Sequence, residues 1–318
     1  MRNRLADVFV AMNIAWIIPW LVICFCGVWQ KDSDAGAINR EVLESVPLSE
    51  EHVPVLLDNS IIEMSMEDYL TGVILAEMPG SFHMEAKKSQ AVVARTYAMR
   101  IVSHSGKHNG MICTDSTCCQ AYAAPENYDP WHVEEARQAV MSTNGLVLLY
   151  DGELIEATYF SCSGGQTEDA VAVWGTDVPY LQSVESPGEE TASVYRDEKK
   201  FSKAELERLL EISLSGSPRQ WFGNIVYTEG GGVASIRIGT RTWKGTELRS
   251  LLGLRSTAFD VKCGDNGLTI ITKGYGHRVG MSQYGAQAMA LSGKSYDQIL
   301  LHYYKDTQIV PLHMDSAN

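Results

Sequence analysis

LVLLYDGELIEATYF, residues 146–160, decides the fold class. Its β-branched and aromatic residues fall on either side of Asp151-Gly152, the pair that a tight type I′ turn prefers, so the stretch predicts a hairpin with strands at 146–150 and 153–160. The sequence before it is helical in pattern. Ser65 and Asp68 form a capping pair ahead of an apolar stripe that stops at Pro79-Gly80, and an Ala-rich helix is predicted over 84–103. A further helix is expected over 133–141. After the hairpin come an amphipathic helix capped by Ser202 and Glu205 and strands at 225–228, 233–238, 259–262 and 268–272. A short helix at 246–252 interrupts them, and a closing helix runs over 286–304. Helices and hairpins mix without a βαβ rhythm, so the expected class is α+β, with mixed helices and antiparallel hairpins.

The N-terminus reads differently. Residues 8–29, VFVAMNIAWIIPWLVICFCGVW, carry no charge over 22 positions, enough for one membrane-crossing helix. Phe25, Cys26 and Gly27 supply no small-x-small cleavage site, which favours an uncleaved span over a signal peptide. Arg2 and Arg4 would leave the N-terminus cytoplasmic and the rest of the chain outside. The expected organisation is an anchor at 1–30, an acidic linker at 31–54, one domain at 55–312 and a short tail at 313–318.

With 26 Lys+Arg against 39 Asp+Glu, the net charge is −13. An acidic chain lacks the basic face that neutralises phosphates, so nucleic acid is excluded as a partner. Seven cysteines cannot all pair within one chain. Cys113, Cys118 and Cys119 cluster just after His108, and His108, Cys113 and Cys119 could offer three soft ligands to one structural Zn²⁺, with water or Cys162 as the fourth. Buried free thiols or one disulfide are the other readings of that cluster.

Three features could carry chemistry. Leu70, Val73, Ile74 and Glu77 share a face of the first helix, so a carboxyl ends an apolar stripe one turn before a Pro-Gly break. Desolvation favours the protonated form of such a group, the form a general acid needs. In the second helix Arg95 shares a face with Ala91, Ala98 and Val102. It should pair, with Glu77 or another group, or hold a substrate carboxylate or amide. Last, the glycine-spaced loop at 274–286 presents His277, Ser282, Gln283 and Tyr284, neutral groups suited to sugars and amides.

Six motifs occur in order: Glu77-Met78-Pro79; residues 90–97, QAVVARTY; residues 119–122, CQAY; residues 163–168, SGGQTE; residues 277–286, HRVGMSQYGA; and residues 299–304, ILLHYY. In this order they resemble the stage II sporulation protein D family over about residues 55–312. The resemblance implies a membrane-anchored lytic transglycosylase of peptidoglycan acting during engulfment, with Glu77 as its catalytic acid. It also implies a glycan groove holding Arg95, Ser163, Gly165, His277, Ser282, Gln283 and Tyr284. Proton transfer of that kind needs no metal, so no cofactor is required for the chemistry and zinc would be structural. The implied partners are glycan strands, an amidase that strips stem peptides, and a multispanning membrane protein of the engulfment machinery. The implied place is the cell membrane, single-pass, with the catalytic domain facing the wall from the mother-cell side. One departure stands out: the family usually has Gly after the loop histidine, and this chain has Arg278, which would narrow the groove or add a contact. Two other functions stay open: a hydrolytic muramidase, for which Glu168 is the nearest second acid, and a non-enzymatic wall-binding module that activates an amidase.

Overall fold

The computed structural model describes residues 52–57, 60–104, 108–265 and 267–312. A short antiparallel hairpin, β1 (Val53–Leu57) with β2 (Ser60–Met64), leads into α1 (Met66–Glu77). The Ser65 hydroxyl accepts from the Asp68 amide at 3.0 Å and so caps α1. Against α1 lies α2 (Met84–His104), the central helix of the larger core. Its run of small residues, Ala91, Ala94 and Ala98, is fully buried and lets neighbouring elements approach closely. Next come β3 (Ile112–Cys113), parallel to β1, and α3 (Pro130–Met141), three residues earlier in starting point than the periodicity suggests because Pro130 opens the helix at N1.

The decisive hairpin forms, but only in part. β4 (Leu146–Tyr150) pairs antiparallel with β5 (Glu153–Leu154), and Asp151 (φ 50°) and Gly152 (φ 84°) both take the left-handed conformation that a type I′ turn requires. The second strand then stops. Ile155 N–H still donates to Leu148, but Glu156 N–H donates to the Tyr180 hydroxyl and the Thr158 carbonyl accepts from Tyr304. Pairing resumes elsewhere as β6 (Tyr159–Phe160), and a short helix, α4 (Ala170–Trp174), follows.

A second hydrophobic core follows, between Phe201 and Ile270. It contains β7 (Arg196–Ser202), α5 (Lys203–Leu210) with the expected Ser202–Glu205 capping box, and α6 (Pro218–Trp221). The three-stranded sheet β8 (Phe222–Tyr227), β9 (Val233–Ile238), β10 (Arg241–Lys244) comes next, then α7 (Gly245–Leu251). β11 (Phe259–Cys263) and β12 (Gly267–Lys273) complete a sheet with β7.

The chain then returns to the first core through β13 (Met281–Ser282), which lies parallel to β6. The single closing helix expected over 286–304 is two: α8 (Gln283–Leu291) and α9 (Tyr296–Tyr303). Gly293, at φ 90°, stops the first, and Ser295 with Gln298 caps the second. β14 (Gln308–Pro311) ends the fold beside β4.

The described fold therefore mixes helices with mainly antiparallel sheets. The expected transmembrane helix, and with it single-pass placement at the cell membrane, needs correction: among the described residues no helix is long and apolar enough to cross a membrane. The apolar run at 8–29 lies outside the described residues, as do residues 31–51 of the acidic stretch and the tail at 313–318.

Candidate active site

Glu77 is the last residue of α1, half-buried. The chain turns sharply after it because Lys87, itself buried, donates to the Gly80 carbonyl at 2.7 Å and pairs with Glu135 at 2.6 Å. A Cβ at Gly80 would stand 1.6 Å from His132 Nε2, so the imidazole packs directly onto the glycine.

Three neutral donors hold the Glu77 carboxylate. Oε1 accepts from the Ala121 amide at 3.0 Å and from the Tyr159 hydroxyl at 3.2 Å, and Oε2 accepts from Gln283 Nε2 at 3.2 Å. Tyr159 is in turn aimed by Gln120, whose amide donates to its hydroxyl at 3.3 Å, and Tyr69 donates to Gln120 Oε1 at 3.0 Å. Burial, followed by the Glu77 charge, holds the Tyr159 hydroxyl well above its ordinary pKa, so it stays a donor. A single carboxylate fixed by neutral groups can give and retake one proton without an ionic partner to trap it.

Of the other expected groove residues, only Gln283 reaches Glu77. Tyr284 packs edge-on against Phe82, with centroids 5.0 Å apart. The Ser163 hydroxyl donates to Glu189 Oε2 at 2.8 Å and accepts from the Gly165 amide, and the Ser282 hydroxyl donates to Glu189 Oε1 at 2.5 Å. His277 uses both ring nitrogens on backbone: Nε2 meets the Tyr159 carbonyl at 3.0 Å, and Nδ1 accepts from the Val279 amide at 3.2 Å. That pattern sets the neutral Nε2–H tautomer. Burial, then the charge of Arg249, pulls the ring down to about 4. His277 is thus a neutral pillar against Phe160 and Trp174, each 5.5 Å away by centroid.

Arg95 is buried and donates to the carbonyls of Thr143 (2.7 Å), Leu146 (3.2 Å) and Val140 (3.2 Å). It holds the C-terminal end of α3, a place where a cation complements the unsatisfied carbonyls. Glu168, the second acid of a hydrolytic reading, is 1% exposed and ion-paired with Arg278 at 3.0 Å. Arg278 does not line a groove either. It is fully buried and also donates to the carbonyls of Ser163, Gln166 and Gly230.

Tyr159, Gln120 and the Ala121 amide escaped the sequence reading as site residues. Gln120 and Ala121 stand inside a quoted motif, but backbone donors leave no side-chain signature, and Tyr159 reads as an ordinary strand aromatic.

The cysteine cluster is tighter than the sequence suggests. One ligand atom from each of His108, Cys113, Cys118 and Cys119 lies within 4.8 Å of the others, and His108 Nε2 is 3.1 Å from Cys118 Sγ. Left-handed φ values at His108 (50°), Asn109 (56°) and Gly110 (82°) curl the imidazole back over the thiols. Three sulfurs and one imidazole make the donor set of a closed tetrahedral zinc site. Where the sequence offered water or Cys162 as a fourth donor, the structure brings Cys118 beside the other three. Cys162 lies elsewhere, its thiol donating to Glu189 at 3.2 Å, and burial raises its pKa far above the usual value.

Comparison with known proteins agrees with the motif order. The stage II sporulation protein family model matches residues 58–150. Stage II sporulation protein D of Bacillus subtilis (strain 168) is 39% identical over 292 residues, covering 88% of this chain and 83% of that one. The Bacillus amyloliquefaciens protein of the same name is 38% identical over 263 residues, covering 79% and 76%. The amidase enhancer of Bacillus subtilis is 32% identical over 293 residues, covering 76% of this chain but 40% of that relative. With 39% identity over 88% of this chain and 83% of that relative, the chain belongs to the stage II sporulation protein D family of sporulation proteins.

Proposed function

We propose that the chain is a lytic transglycosylase that cuts peptidoglycan glycan strands between muramyl and glucosaminyl residues during sporulation. The observation that carries this reading is the Glu77 carboxylate, gripped by three neutral donors and without an ion-pair partner among the described residues, while Glu168 is buried in an ion pair. Ordinary glycosidases need two carboxylates, one as acid and one to activate water or attack. A muramyl residue brings its own nucleophile, the C6 hydroxyl, and intramolecular attack has the advantage of high effective molarity. Glu77 protonates the glycosidic oxygen as the bond to the leaving sugar breaks. It then takes the proton of the C6 hydroxyl as that oxygen closes on C1, leaving a 1,6-anhydromuramyl end. The substrate is then a glycan strand, and an amidase that strips stem peptides is the natural companion activity. Mass spectrometry of digested strands tests the reading: anhydro ends are expected, and reducing ends or no new ends would overturn it.

A second reading, favoured by the 32% identity to an amidase enhancer, is a wall-binding protein that raises the activity of an amidase without cutting. The same digest separates the two, since that protein would leave no new glycan ends.

We further propose that His108, Cys113, Cys118 and Cys119 hold one structural Zn²⁺. Cys119 directly precedes Gln120 and Ala121, the residues that aim Tyr159 and donate to Glu77. The metal would fix that segment and take no part in proton transfer. Chelation should lower the melting temperature by several degrees and slow turnover, with zinc restoring both. Metal analysis of untagged protein showing less than about a tenth of an equivalent would reject the site.

A further inference from the structure

The buried carboxylate of Glu189, 1% exposed, has no part in the chemistry above. Its Oε2 accepts from the amides of Ser163 and Gly164, both at 2.9 Å, from the Ser163 hydroxyl at 2.8 Å and from the Cys162 thiol at 3.2 Å. Its Oε1 accepts from the hydroxyls of Ser282 at 2.5 Å and Ser186 at 2.9 Å. Six donors thus converge on one buried carboxylate and satisfy both of its oxygens.

Apart from Ser186, these donors lie at or just beyond the ends of β6 and β13, the two strands that lead to the residues gripping Glu77. β6 carries Tyr159, which donates to Glu77 Oε1, and the chain leaving β6 supplies Cys162, Ser163 and Gly164 to Glu189. β13, parallel to β6, ends at Ser282, the N-cap of α8, and the next residue, Gln283, donates to Glu77 Oε2. The packing at that point is tight: a Cβ on Gly285 would come within 2.8 Å of Glu189 Oε1 and 2.1 Å of Ser186 Oγ.

We infer that Glu189 is a positioning residue for the acid. It clamps the exits of β6 and β13 together and thereby fixes the spacing of Tyr159 and Gln283 around the Glu77 carboxylate. This rests on the transglycosylase reading of Glu77. Glu189→Gln keeps the volume but turns N–H groups toward oxygens and amides that themselves donate, so the clamp loosens.

A double-mutant cycle on denuded glycan strands tests it, with kcat and KM measured for the wild type, Glu189→Gln, Gln283→Ala and the pair. Glu189→Gln should lower kcat about a hundredfold, the scale of an ångström-sized misplacement at a reacting centre, with KM changed by less than about threefold. Adding Gln283→Ala to it should cost clearly less than Gln283→Ala costs alone. Ser282→Ala, which removes the Glu189 bond at the end of β13 together with the cap bond from the Gly285 amide, should show the same split and serves where Glu189→Gln does not fold. Fully additive effects, or a kcat that returns to the wild-type value once the folded fraction is counted, would overturn the inference. A wild-type chain that makes no cuts would overturn the function itself; normal wild-type turnover with an additive cycle overturns only the role of Glu189.

Discussion

Glu77→Gln should reduce glycan cleavage by about 10³–10⁴-fold while leaving the melting temperature within a few degrees of the wild type. The amide has no proton to donate to a glycosidic oxygen and is too weak a base to take one from the C6 hydroxyl, so both halves of the reaction lose their catalyst. The fold has no reason to suffer. The amide oxygen can keep the bonds from Ala121 and Tyr159, and the new NH₂ faces Gln283, whose own amide can turn to accept from it. Glycan binding should therefore survive, and the variant should pull down strands it cannot cut. Wild-type turnover in purified Glu77→Gln would remove Glu77 from the mechanism.

Arg278→Ala should destabilise the chain by about 3–5 kcal/mol, measured by urea unfolding. The loss strands a buried carboxylate. Glu168 keeps the Thr228 hydroxyl and the Gly232 amide on Oε1, but its Oε2 already lacks a hydrogen-bond partner, and the carbonyls of Ser163, Gln166 and Gly230 lose their donor. Backbone strain works in the other direction. Arg278 sits at φ 69°, a left-handed conformation that costs a residue with a Cβ about 1 kcal/mol. Arg278→Gly should accordingly be milder than Arg278→Ala by about that amount. A loss below about 1 kcal/mol for the alanine variant would show that solvent reaches Glu168 and that the ion pair contributes little.

The parts of this architecture set by local rules were legible in the chain. Ser65 and Ser202 announce the helices that they cap, Asp151-Gly152 announces its turn, and β9 has the limits that its alternation suggests. Glu77 was legible as a carboxyl closing an apolar stripe. What failed was the assumption that a neutral polar side chain in a glycine-spaced loop faces a ligand. Ser163, Ser282 and His277 are all committed inward, the serines to a carboxylate that no motif brought forward and the histidine to two backbone groups. Such commitments depend on contacts between residues far apart in sequence, which periodicity does not encode. Arg95 reads as needing Glu77, another anion or a substrate group beside it, whereas the partners seen are carbonyls, which have no letter in the sequence. The break at 155–158 is likewise a tertiary override of a locally persuasive pattern, whereas the stop at Gly293 follows local signals, a left-handed glycine and the Ser295–Gln298 cap, that the longer helical pattern masked.

The three donors on Glu77 lie 44, 82 and 206 positions further along the chain. A ribosome that has made the acid has therefore made almost none of its setting, and the last grip arrives only with α8, near the C-terminus. A nascent chain, or a fragment clipped before Gln283, carries the glutamate without the geometry that aims it. For a protein proposed to cut the wall of its own cell, the order of synthesis then acts as a safety catch: the blade is forged early and sharpened last.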